Sequence, residues 1–93
     1  MKAQTLIDNY RNAHAGKSAF IDSQMNITEQ ALKDAERNKK RGDSEFALIS
    51  LYIARNTMTC LLHALPAPDY CRQVIIAIYS AIDNCICDIQ EGR

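Results

Sequence analysis

Between Asp43 and Leu65, apolar residues recur on two sides of what reads as a single helix. At about 100° per residue, Ala47, Leu51, Ala54, Met58, Leu61, Leu62 and Leu65 gather on one side, and Phe46, Ile49, Ile53 and Cys60 on the other. Narrow polar strips separate them, Ser50 and Thr57 along one edge and Asn56, Thr59 and His63 along the other. A helix of this kind calls for neighbours on both sides. The pattern therefore predicts an all-α fold, a small three- or four-helix bundle or array of helical hairpins with this helix packed centrally.

The punctuation of the chain divides it into helices at about residues 3–15, 18–41, 44–65 and 69–90 of one domain. Gly16-Lys17-Ser18 can close a first helix and cap a second, or lie within one continuous helix. Asn26-Ile27-Thr28-Glu29 has the spacing of a capping box and offers a further possible start, after which Ile27, Ala31, Leu32 and Ala35 form a thin apolar side. Arg41-Gly42-Asp43-Ser44-Glu45 is the firmest break: glycine suits the left-handed position after a helix, and Asp or Ser caps the next one. Pro66 and Pro68 interrupt the chain again. In the last helix, Cys71, Ile75, Ile78, Ile82, Cys85 and Ile89 step alternately by four and three, the rhythm of bundled helices. Val74, Ala81 and Ile86 widen that stripe, and Ile76 with Tyr79 adds an apolar flank.

One segment carries a family likeness. Gly42-Asp43, Ala47-Leu48, Leu51-Tyr52 and Ala54 fall at the spacing of the turn and second helix of a tetratricopeptide unit, and the stretch from about Ala31 to Arg55 resembles such a helical hairpin. Small Ala47 and Ala54 would let the preceding helix approach closely, with Leu51 filling the space between. The Trp, Gly and first-helix Tyr positions of a complete unit have no counterpart here. Tetratricopeptide proteins bind peptides and partner proteins, so the resemblance implies an interaction role.

Composition narrows the choices further. Of 93 residues 47% are hydrophobic, enough for one core, while three Gly and two Pro are too few for a loop-rich or all-β chain. Eleven basic residues balance eleven acidic ones, so no overall field draws in nucleic acid or an anionic membrane. The most apolar run, Val74 to Ile82, stops at Asp83 and Asn84, well short of the ~20 residues of a membrane span. Neither a leader peptide nor a lipid anchor is expected, and the expected location is the cytoplasm.

Candidate chemistry is sparse. Cys60 and His63 are three apart, with Cys71, Cys85 and Cys87 downstream, but Cys85 and Cys87 lie about 200° apart on a helix and cannot share one zinc ion. His63 and His14 each stand near a helix end, where imidazole suits the dipole. Gly16-Lys17-Ser18 matches the tail of a phosphate-binding loop without its first glycine or a preceding strand. No catalytic constellation is present, so no enzyme, cofactor or small-molecule substrate is expected. Lys33, Arg37, Lys39, Lys40 and Arg41 form the one basic cluster. Asp34, Glu36, Asp43 and Glu45 are interleaved with it, and no aromatic residue stands among the charges to stack on bases.

The expectation is thus a non-enzymatic protein–protein interaction module, a small bacterial or phage-type adaptor, secretion chaperone or inhibitor. Its partner would be a larger protein, a second copy in a homodimer, or both. The expected surface is the surplus apolar side of the last helix, Val74, Ile76, Tyr79, Asp83 and Ile86. Two alternatives are a nucleic-acid-binding regulator using the Lys33–Arg41 cluster and a zinc-stabilised helical module.

Overall fold

A computed structural model describes residues 2–64 and 69–92 of the chain, except for the side chains at 64 and 69–71. Four helices run through the described residues: α1 Ala3–His14, α2 Ala19–Lys40, α3 Ser44–Ala64 and α4 Asp69–Gln90. The prolines between α3 and α4, Leu65 and the Cys71 side chain lie outside the described residues.

The turns follow from local chemistry. Gly16 and Gly42 take φ of 85° and 77°, values that cost a side-chain-bearing residue more than glycine. After α2, the Gly42 amide donates to the Lys39 carbonyl at 3.1 Å and the Asp43 amide to the Asn38 carbonyl at 2.9 Å, the paired bonds of a Schellman ending. The Asp43 carboxylate then accepts from the Phe46 amide at 3.3 Å, so one residue ends α2 and caps α3. Ser18 caps α2 by accepting from the Ile21 amide at 3.3 Å. Asn26 and Glu29 do not start a new helix. Both stand inside α2 and turn to α1: Arg11 donates to both, and Gln4 donates to Glu29 at 2.8 Å. Once the backbone around them is helical its amides need no cap, which frees the two side chains for this tertiary contact.

The helices form a ring in which α2 packs on α3, α3 on α4, α4 on α1 and α1 on α2. In this all-α bundle α3 packs on both α2 and α4. The closest seam is α2 against α3, where buried Ala31 and Ala35 meet a helix that buries Ala47 and Ala54. Thr28 and Thr57 are buried with them, their hydroxyls donating to the carbonyls of Gln24 and Ile53 at 2.9 Å. These bonds within the helix remove the cost of hiding a hydroxyl. Met25, Met58, Leu61, Ile75, Ile78 and Ile82 fill the axis of the bundle, and Ile7 and Tyr10 close it from α1.

The core stripe of α4 departs from the expected rhythm at its end. Ile75, Ile78, Ile82 and Ile86 are buried, whereas Cys85 is exposed and Ile89 half-buried. A straight helix turns every 3.6 residues, so it drifts from a stripe spaced at 3.5, and by the third turn Ile86 has replaced Cys85 at the axis. In α2, too, one residue of the expected apolar side is displaced: Thr28 is inside and Ile27 stands out, because the buried arc of this helix is centred nearer Ala35 and Thr28 than Ile27.

Candidate interaction surface

Each residue expected to form the docking side of α4 has a defined place. Ile86 is in the core, and Val74 and Tyr79 are half-buried against it. Asp83 accepts from Arg55 of α3 at 2.7 Å, and that guanidinium also lies 5.0 Å from the Tyr52 ring centre. Gln90 donates to the Tyr52 hydroxyl at 2.9 Å. These residues join α4 to α3 and to the core. Only Ile76, 42% exposed, projects outward as a large apolar side chain.

The surplus apolar surface sits instead on α3 and α2. Phe46, Ile49 and Ile53 are 58%, 52% and 49% exposed, and Cys60 continues their line. These are the second apolar side read from the sequence. The neighbour expected for it does not come from within the described residues. Geometry explains why: Arg55 and Tyr52 face α4 on one flank of α3, and α2 occupies the other flank through Ala54 and Thr57. The stripe at 46, 49, 53 and 60 lies beyond that second flank, past the line of contact.

Two residues of α2 extend the same surface. Its buried small residues face α3, while Asn26 and Glu29 face α1. Phe20 and Ile27, 48% and 46% exposed, fall just outside the α3 contact. Because the α2–α3 turn is tight, the two helices run antiparallel and Ile27 stands level with the Ile53-to-Cys60 part of the stripe. Half-exposed side chains of this size leave roughly 400–500 Å² of apolar area among the five, at the upper end for a soluble monomer. The outer side of α3 from Phe46 to Cys60, made of Phe46, Ile49, Ser50, Ile53, Asn56 and Cys60, contains no charged residue.

The other candidates carry less. In the basic cluster Lys33 pairs with Glu29 at 3.5 Å, Arg37 with Asp34 at 3.7 Å and Lys40 with Glu36 at 3.6 Å, so three of its five cations already have a carboxylate beside them. Among the described residues no three His, Cys, Asp or Glu side chains converge in a way that would hold a metal. Cys60 and His63 are exposed on α3, and Cys85 and Cys87 are exposed on α4. His14 lies with its ring centre 5.3 Å from that of Tyr10. No helix among the described residues is long and apolar enough to cross a membrane.

An open groove of about 540 Å³ marks one end of the bundle. It arises because α1 has 12 residues against 21 or 22 in the others, and at 1.5 Å per residue one wall is shorter by about 14 Å. Leu32, Ala35, Leu51 and Ile89 line it, with Lys2, Lys39 and Asp88 among its charged residues. Cys85 also lines it, and burial, helped by the nearby Asp88 carboxylate, pushes the thiol pKa up. A raised pKa leaves less of this thiol as the reactive thiolate.

No protein-family model matches the chain, and neither do any curated proteins or solved structures.

Proposed function

We propose that this chain is a non-enzymatic protein-binding module whose working surface is the outer side of the α2–α3 hairpin. The observation that carries the reading is the line of Phe46, Ile49 and Ile53, three large apolar side chains about half exposed on one side of a 21-residue helix. Covering the exposed half of each would gain roughly 1–1.5 kcal/mol, about half the worth of burying such a side chain completely. Helices that bind through such a face use anchors at i, i+3 and i+7, the spacing of 46, 49 and 53. An adaptor, chaperone or inhibitor role is consistent with a face that lacks charge and so selects by shape and apolar fit. Exposed thiols at Cys60, Cys85 and Cys87 support placing it in a reducing compartment such as the cytoplasm.

The test compares three immobilised chains in extracts of the native host: the parent, Ile49→Asp/Ile53→Asp, and Ile76→Asp. The expected result is retention of helicity by circular dichroism in all three, with loss of the captured protein in the double variant alone. Equal capture by parent and double variant would sink the reading.

A further inference from the structure

We infer that the occupant of this surface is a second copy of the chain, docked antiparallel across a two-fold axis near Ile53. The inference rests on the interaction reading above and names its partner. Three observations converge on it.

The first is area. A stable interface buries about 800 Å² per partner, somewhat more than half of it apolar. Phe20, Ile27, Phe46, Ile49 and Ile53 together expose roughly 400–500 Å² of apolar surface, which is the apolar share of one side of such an interface. The second is charge. A surface that meets its own copy must not carry a net charge at its centre, since like would face like. The outer side of α3 from Phe46 to Cys60 has none, and the charged Arg55 is turned away to Asp83.

The third is symmetry. A two-fold axis perpendicular to α3 keeps both copies of α2 on the same side of the α3–α3 contact, whereas an axis parallel to α3 puts them on opposite sides. Only the perpendicular axis brings Phe46, on the α2 side of the stripe, to the far end of the other copy, where Cys60 is small and Ile27 and Phe20 stand open. Residues 46 and 60 are equidistant from 53, so the match repeats on both sides of the axis, as an isologous interface requires. The same arrangement sets each helix N-terminus, with Glu45, toward the C-terminal end and His63 of the other α3, a favourable alignment of dipoles.

The purified chain should have the mass of two chains by light scattering at micromolar concentration, and Phe46→Asp should weaken dimerisation by roughly a hundredfold or more because symmetry repeats the substitution. Orientation is read by cross-linking. With a short bismaleimide, the Ile53→Cys/Cys60→Ser chain should form covalent dimers. The parent should not, since its two Cys60 residues would lie about 21 Å apart along the axis. A dimer indifferent to Phe46→Asp overturns the inference, as does cross-linking of the parent through Cys60. A monomer at every concentration also overturns it, and in that case the capture experiment with Ile49→Asp/Ile53→Asp judges the broader interaction reading separately.

Discussion

Met58 and Leu61 on the inner side of α3 are sealed from solvent, while Phe46, Ile49 and Ile53 on its outer side are about half exposed. The two sides are similarly apolar, and both are regular enough to read from the sequence. What separates them is the size of the neighbours: Ala31 and Ala35 bring α2 close to Ala47 and Ala54, and a helix seated that tightly cannot also cover residues round the corner. Small residues at one seam thus determine which side of the central helix remains available. The inner side holds the fold together, and the outer side is left half exposed among the described residues.

The sharpest way to break this contrast is to truncate one residue on each side. Leu61→Ala should lower the unfolding free energy by about 2–5 kcal/mol, while Ile53→Ala should change it by no more than about 0.5 kcal/mol. Both are measured by urea denaturation in a Phe46→Asp background, which keeps self-association out of the comparison. Equal losses would mean that the outer side is part of the core.

A smaller effect tests the seam itself. Ala54→Leu places extra volume where α2 and α3 meet most closely and should cost about 1–3 kcal/mol, read from the same urea curves. A neutral result would show that the seam has slack and that close approach is not what strands the outer stripe.

The smallest expected effect concerns a polar seam that contrasts with both sides of α3. The hydrogen bond from Gln4 and the charge and hydrogen bond of Arg11 lower the Glu29 pKa below its ordinary value, against some desolvation. A depressed carboxylate pKa contributes stability that is complete above the unfolded-state value and is lost as pH falls through the folded-state one. The melting temperature should therefore drop modestly on acidification below about pH 4.5, and less so in Glu29→Gln. Identical acid profiles would remove Glu29 from the account of how α1 is held.

Much of this architecture was legible. Gly42 with Asp43 marks the α2–α3 turn unambiguously because few other residues serve a left-handed ending followed at once by a cap. Ala47, Leu51, Ala54, Met58 and Leu61 announce the inner side of α3 by their spacing. The outer stripe was equally visible, yet a helical wheel does not say which apolar side wins the available neighbours; that is decided by packing among distant segments. The wheel accordingly points to α4 for a docking surface, where Ile86 is inside because the real helical period carries it to the axis. Asn26 and Glu29 misled for a different reason. Their spacing suits a local cap, but Arg11 and Gln4, far away in sequence, engage their side chains.

The brevity of α1 has a consequence for how the molecule opens. With 12 residues it is near the limit at which an isolated helix persists in water, and its seat on α2 includes the water-accessible contacts of Gln4 and Arg11 with Glu29. The α2–α3 hairpin, by contrast, is joined by a tight turn and a dry seam of alanines. Amide protons of α1 should accordingly exchange with solvent through a partial opening, ahead of those in the hairpin. On refolding, the hairpin, whose contacts are close in sequence, should gain protection ahead of α1, an order that pulse-labelling hydrogen exchange would read.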